Sequence, residues 1–137
     1  MGLVLDSSVL IAAERMGQNA RQALTAISSQ IANEDIAISV VTVIELAHGA
    51  VRADTLQRRV NRQQFIEELL SALPVHPVSV PIALRAGRLD GESTSKGTRI
   101  ALSDLLIGVT ALELGYSVAT SNVRHFRNIP GLDIVQM

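Results

Sequence analysis

Three carboxylates of the chain stand inside or directly after runs of aliphatic residues. Asp6 follows the run Leu3 to Leu5, whereas Glu45 and Asp104 lie within longer aliphatic segments. Removing a carboxylate from water costs free energy unless a partner compensates, and these segments contain no basic residue. The pattern therefore predicts a divalent cation as the partner that the three acids share.

Each acid also has an ordinary structural explanation. An Asp or Ser directly after a strand is most often a helix N-cap, which contributes about 1 kcal/mol. Asp104 could likewise act as a cap or as a partner of the helix dipole. Glu45 is harder to explain in this way, because its predicted helix carries little other charge nearby.

The composition indicates one globular domain. The 137 residues, of which 47% are hydrophobic, suffice for a single buried core, so we expect one domain over residues 1–137. The chain has no cysteine, and no segment reaches the apolar length of a membrane-spanning helix. We therefore expect a cytoplasmic protein without a membrane partner.

Charge and aromatic content narrow the possible functions. A net charge of −1 provides no general attraction to nucleic acid, so an RNA partner would need local positive patches. Phe65, Tyr116 and Phe126 are the only aromatic residues, so the stacking platform of many single-strand binders is missing. An enzyme is therefore favoured over a passive RNA-binding module.

The hydrophobic periodicity alternates between short strands and longer helices. Strands are predicted at 3–5, 36–39, 75–80, 117–120 and 133–135, helices at 7–15, 19–33, 42–53, 54–73, 81–89 and 102–114, and a polar loop at 90–98. Such alternation predicts an α/β fold with three layers (α/β/α) and a central, mainly parallel sheet of four to five short strands. Ligands of such sheets bind at the carboxyl ends of the strands, near the point where the strand order reverses. Asp6, Glu45, Asp104 and Asn122 could meet there.

Four segments in order resemble one known family over nearly the whole chain. They are residues 5–11, residues 39–46 with Gly49 after them, residues 103–111, and residues 118–126 followed by 129–132. The chain resembles a PIN-domain ribonuclease of the VapC toxin type. The resemblance implies metal-dependent RNA cleavage by the acidic residues, a small antitoxin partner, and a homodimer joined by helices. Asn122 departs from the family, which often has Asp at this fourth acidic position, so one metal is expected more firmly than two.

The ligand types suggest a mechanism. Oxygen ligands suit Mg²⁺ or Mn²⁺, which keep several waters and bind phosphate oxygens. We expect Asp6 and Asp104 to bind the metal, with Glu45 as a third ligand or acting through a water. A metal-bound water would then attack the scissile phosphate. Asn122 completes the predicted catalytic set, because its amide can donate a hydrogen bond without adding charge.

Arginine is predicted to hold the RNA, since all but one of the twelve basic residues are Arg. Arg99 and Arg124 lie close in sequence to the acids and, with Ser7 and Thr120, are the predicted substrate-binding residues. His125 is predicted to be a packing or supporting residue rather than a general base. A second group could contact RNA, an antitoxin or only solvent; it consists of Arg52, Arg58, Arg59 and Arg62.

The antitoxin is expected to insert a basic side chain, best an Arg, among Asp6, Glu45 and Asp104. The alternative function is a non-catalytic, phosphate-sensing or receiver-like α/β module. That alternative explains Asp6 as a regulatory acid but assigns no role to the other two carboxylates.

Overall fold

A computed structural model of the chain describes residues 1–32 and 34–137. The strands are β1 (Gly2–Leu5), β2 (Asp35–Ser39), β3 (Val75–His76), β4 (Ser117–Thr120) and β5 (Ile134–Gln136). The helices are α1 (Ser7–Arg15), α2 (Ala20–Ser29), α3 (Val40–Arg52), α4 (Leu56–Ala72), α5 (Val80–Ser95), α6 (Leu102–Leu114) and α7 (Val123–Phe126).

The five strands form one sheet in the order β3-β2-β1-β4-β5, and every pair of neighbours is parallel. From β1 the chain builds outward through β2 to β3, and then returns to the other side of β1 to add β4 and β5. The strand order therefore reverses between β1 and β4, where α/β sheets place their ligands. Asp6 follows β1 directly, so it lies at this reversal point.

Helices cover both faces of the sheet, as the sequence predicts. Successive side chains of a strand point to opposite faces. Accordingly, Leu3 and Leu5 belong to the core cluster packed by α1, α2 and α4, whereas Val4 belongs to the cluster packed by α5, α6 and α7. The predicted three-layer α/β/α fold is confirmed. None of the described helices combines the length and the apolar character needed to cross a bilayer.

The predicted loop at 90–98 is wrong over most of its length, because α5 continues to Ser95. Its polar residues are compatible with a helix: the hydroxyls of Ser93 and Ser95 donate to the carbonyls of Asp90 and Glu92 in the preceding turn. The helix stops only where Gly97 adopts a positive φ of 77°.

Other predicted boundaries also differ. The strand predicted at 75–80 is an edge strand of two residues, because Ser79 caps α5 and its hydroxyl accepts from the amide of Ile82. The predicted second helix ends at Ser29, and its predicted last residue, Asn33, lies outside the described residues.

Candidate active site

Asp6 lies at the carboxyl end of the central strand and is only 4% exposed. It occupies the N-cap position of α1, yet its side chain makes no capping hydrogen bond, so the ordinary explanation of Asp6 as a cap is wrong. Instead, its Oδ2 accepts hydrogen bonds from the hydroxyls of Ser8 at 2.7 Å and Thr120 at 2.8 Å. The carboxylate is therefore held by residues from both sides of the strand reversal.

Further hydrogen bonds fix the segment after β4 against Asp6. The amide of Ser121 donates to the hydroxyl of Ser8 at 3.1 Å, and the amide of Asn122 donates to that of Thr120 at 2.9 Å. Thr120 has no exposed surface. Its predicted contact with substrate is therefore corrected: as placed, Thr120 positions Asp6.

The start of α3 lies beside the end of β1 because the hydroxyl of Thr42 donates to the carbonyl of Leu5 at 3.2 Å. This contact places Glu45, one turn further along α3, close to Ser7. The hydroxyl of Ser7 donates to Oε1 of Glu45 at 3.2 Å, and Ser7 itself is buried. Ser7 was predicted to bind substrate, but the structure places it as a support for Glu45.

Asp104 lies in the first turn of α6, and its side chain is 13% exposed. The N-cap of this helix is Ala101, so Asp104 does not cap it, although its charge still faces the positive end of the helix dipole. Nδ1 of His125 lies 3.4 Å from Oδ2 of Asp104. His125, predicted as a packing or supporting residue, is thus a polar neighbour of one acid.

The electrostatics show that the three acids share one environment. Burial, and next to it the charge of Asp6, raises the pKa of Glu45 above its ordinary value; Asp104 adds to this, while Ser7 and His125 oppose it. Burial likewise raises the pKa of Asp104, which His125 lowers and Asp6 raises further. The structure therefore brings Asp6, Glu45 and Asp104 together as an acidic cluster whose charge the neighbouring side chains do not neutralise.

Two carboxylates of the acidic cluster have one oxygen held by a hydrogen bond, Oδ2 of Asp6 and Oε1 of Glu45. Oδ2 of Asp104 has His125 as its polar neighbour. Within the described residues no buried side-chain oxygen lacks a hydrogen-bond partner, so the second oxygen of buried Asp6 reaches solvent. Carboxylate oxygens with uncompensated charge fit a hard divalent cation.

The acids are not arranged as a closed ligand shell. Across residues 1–32 and 34–137, no group of three or more His, Asp or Glu side chains is close enough to hold a metal ion. Because like charges repel, carboxylates without a cation between them are expected to stay apart. Binding an ion would require them to converge by side-chain rotation.

The remaining predicted residues lie at the rim. Asn122 is exposed, and its side chain does not cap α7. A cavity of about 300 Å³ opens beside it and is lined by Arg124 and His125. Arg99 is exposed two residues before the N-cap of α6. No described contact joins the side chains of Asn122, Arg99 or Arg124 to the acidic cluster, so their roles stay predictions.

Two supporting residues were missed by the sequence reasoning. Ser8 bonds both Asp6 and the segment after β4, and Thr42 fixes the start of α3. The available signal was a hydroxyl residue close in sequence to each acid, two positions after Asp6 and three before Glu45. A hydroxyl in a buried segment needs a hydrogen-bond partner, which here is Asp6 for Ser8 and the carbonyl of Leu5 for Thr42.

Comparison with known proteins gives a consistent result. The family described as "PIN domain" matches residues 3–132. Ribonuclease VapC1 of Rickettsia felis is 29% identical, with 98% of this chain and 96% of that protein covered. The tRNA(fMet)-specific endonuclease VapC of Salmonella typhimurium is 32% identical, with 71% of each covered. The crystal structure of DNA-bound VapBC from Salmonella typhimurium has a TM-score of 0.80 at 25% identity, covering 99% of this chain and 98% of that one.

Proposed function

Since the chain belongs to the PIN-domain family and is a VapC-type ribonuclease, we propose that its acidic cluster cleaves RNA with the help of bound Mg²⁺ or Mn²⁺. The observation that supports this most is the placement of Asp6, Glu45 and Asp104, each at or near the N-terminal half of a different helix, in one electrostatic environment near the strand reversal point. A structural role would not require three like charges there, since their repulsion destabilises the fold. A shared cation accounts for the arrangement.

The chain's own residues have separable roles in this proposal. Asp6, Glu45 and Asp104 would hold the ion through their available oxygens, while Ser8, Thr120 and Ser7 keep the other oxygens in place. A bound divalent ion supplies a water of lowered pKa and neutralises charge that develops on the phosphate.

His125 lies against Asp104 and would orient that carboxylate. At the rim, Asn122 would donate a hydrogen bond to a phosphate oxygen or to a water. Because Asn122 is neutral, the site favours one ion over two.

The substrate and partners follow from the family. We propose RNA as the substrate, with Arg99 and Arg124 contacting its phosphates, and a small antitoxin as the inhibitor. A basic side chain of the antitoxin, best an Arg, would enter the acidic cluster because its two-point fork can bridge two carboxylates. A homodimer is proposed as the functional form. The receiver-like alternative receives no support from the family assignment.

The test is cleavage of RNA by the purified protein with Mg²⁺ or Mn²⁺ and with EDTA. We expect Asp6→Asn and Asp104→Asn to lower the rate by about 100-fold or more, because a neutral amide is a poor ligand for the ion. Asp90→Asn, an identical change on the exposed surface of α5, is the matched control and should cleave normally.

Wild-type rates in either cluster variant would contradict the site assignment. Equal rates of wild-type cleavage in EDTA and in Mg²⁺ would contradict the metal. Folded protein that cleaves neither RNA nor a small phosphate ester, with either ion, would instead favour the non-catalytic, phosphate-sensing alternative.

A further inference from the structure

The arginines of α4 do not form one uniform RNA-binding face. Nε of Arg62 donates to both carboxylate oxygens of Glu14, at 2.8 and 2.7 Å, and both side chains are mostly buried, at 14% and 22% exposure. Arg62 also passes directly over Gly49, where any Cβ would collide with its Nη1. The charge of Arg62 is therefore used inside the protein, joining α1, α3 and α4.

A cavity of about 590 Å³ opens beside this pair, where α1 and α3 end and α4 begins. We call it the arginine cavity, and its charged lining residues are Glu14, Arg15, Arg52, Asp54, Arg58 and Arg62. Four positive and two negative side chains leave an excess of two positive charges. That excess is notable in a protein whose net charge is −1.

The two acids of the arginine cavity are already paired. Glu14 binds Arg62, and Asp54 binds Arg58 at 2.8 Å through an exposed contact. Within the described ranges, neither Arg15 nor Arg52 is paired with a carboxylate. Both are exposed at the mouth of the cavity, so they are available to an anion.

Two neighbouring helices connect the arginine cavity with the acidic cluster. Ser7, the first residue of α1, donates to Glu45, the sixth residue of α3. Seven residues later, on the same face of each helix, stand Glu14 and Arg52, both of which line the cavity. Seven residues span about 10 Å along a helix, so the cavity lies about that far from the acids.

We propose that the arginine cavity is a phosphate-binding subsite for the backbone of the RNA substrate, with Arg15 and Arg52 as its ligands. This proposal rests on the proposed ribonuclease function and adds a second contact between the protein and the RNA. Successive phosphates of one strand are further apart than the axial rise of about 3.4 Å, so the phosphate held here would lie only a few nucleotides from the cleaved bond. Guanidinium groups match phosphate oxygens in two-point contacts.

An acidic peptide of the antitoxin is the competing occupant. RNA is favoured because the same two helices, α1 and α3, carry both the lining of the cavity and residues of the site where RNA would be cut. Its lining is also charged and polar, whereas the buried centre of a protein interface is depleted of charge.

The experiment measures binding of a fluorescently labelled oligouridine in EDTA over a range of salt concentrations. We expect Arg52→Gln and Arg15→Gln each to weaken binding by up to about tenfold and to reduce the slope of log K against log salt by about 0.7, the value for one lost phosphate contact on a single strand. Arg52→Lys should keep part of the affinity. Arg88 is exposed on α5, which covers the opposite face of the sheet. Arg88→Gln removes the same charge there, so this variant is the matched control and should behave like wild type.

Thermal unfolding confirms that each variant folds, and cleavage kinetics in Mg²⁺ separate the two proposals. If the subsite exists, Arg52→Gln raises KM with little change in kcat.

If wild type cleaves RNA and Arg52→Gln matches Arg88→Gln in affinity, salt slope and KM, the subsite is refuted while the ribonuclease function stands. If Arg52→Gln leaves RNA binding unchanged but weakens the antitoxin complex, the cavity is a partner contact and the proposal is likewise overturned. If wild type binds RNA through Arg52 without cutting it, the ribonuclease proposal fails and the subsite stands.

Discussion

Asp6 and Glu14 are carboxylates near opposite ends of the same helix, and both are largely removed from solvent. Glu14 is neutralised by a two-point contact with Arg62. Asp6 has only the hydroxyls of Ser8 and Thr120, and two further acids lie in its environment. One carboxylate is thus electrostatically compensated within the chain and the other is not.

We interpret the difference as the separation of a structural acid, Glu14, from an acid that we propose to be functional, Asp6. A compensated pair stabilises the packing of helices, but its carboxylate has no uncompensated charge with which to bind a cation. Hydroxyl donors, by contrast, orient a carboxylate while leaving its charge in place, so the site remains able to bind a cation. The pKa values of Glu45 and Asp104, raised first by burial and further by neighbouring acids, register this uncompensated charge.

The largest expected effect comes from removing the compensated acid. Glu14→Gln leaves Arg62 mostly buried without a counter-charge, which should lower the free energy of unfolding by about 3 kcal/mol, or Tm by roughly 10 °C. Asp6→Asn should keep or raise stability in EDTA, because it relieves repulsion and its amide oxygen can still accept from Ser8. Denaturant unfolding of both variants measures the contrast.

The exposed pair of Asp54 and Arg58 is the control, and Asp54→Asn should change stability by less than about 0.5 kcal/mol. Folded Glu14→Gln should still cleave RNA. If Asp6→Asn were the more destabilising change, the division between structural and functional acids would not hold.

The second largest expected effect is the stabilisation of the native protein by bound metal. Ligand at one hundred times its Kd stabilises a native protein by about 2.7 kcal/mol, so Mn²⁺ should raise the Tm of wild type by several degrees. The increase should vanish in Asp6→Asn and persist in Glu14→Gln, since the acidic cluster offers uncompensated oxygens whereas Glu14 is already paired with Arg62. Differential scanning calorimetry with and without Mn²⁺ tests this. An equal Mn²⁺ effect in wild type and Asp6→Asn would place the bound ion elsewhere.

The smallest effect concerns pH in the absence of metal. Because the folded pKa of Glu45 is raised, the native state binds its proton more tightly than the unfolded state does, and stability falls as pH rises from about 4.5 through the folded pKa. Glu45→Gln removes this loss. The variant should be more stable than wild type at neutral pH, by well under about 1 kcal/mol after solvent screening, and the advantage should disappear below pH 4.5.

Unfolding curves of wild type and Glu45→Gln, measured in EDTA across this pH range, test this prediction. Glu67→Gln, an exposed change on α4, controls for the general effect of removing a negative charge. An advantage of Glu45→Gln that grows toward acid pH would show the opposite sign of linkage.

Local sequence signals predicted most of this fold. Helices α1 and α6 have the predicted ends, because a strand-to-helix junction and the left-handed Gly115 mark them clearly. The end of α5 was missed, since Gly91 and a run of Ser and Thr look like a loop, whereas the hydroxyls of Ser93 and Ser95 bond to carbonyls of the preceding turn and the helix continues. Propensity is a weak guide where the contacts made in the fold decide.

The site was predicted only in part for the same reason. The three acids could be found because charge within an aliphatic run is conspicuous. The donor of each hydrogen bond could not, because Ser8 and Thr120 reach Asp6 through positions that only the folded sheet defines. The sequence also could not show that Arg62, unlike Arg52, binds Glu14, because this depends on which helix face packs against Glu14.

The hydrogen bond from Thr120 to Asp6 joins residues that are 114 positions apart in the chain. Strand β4 must therefore dock beside β1 before the first acid is held in place, and contacts of such long range form late in folding. During synthesis, an emerging chain would carry Asp6 and Glu45 before it contained the strand whose end holds Asp6. Under the proposed function, cleavage would therefore have to wait until β4 has been translated.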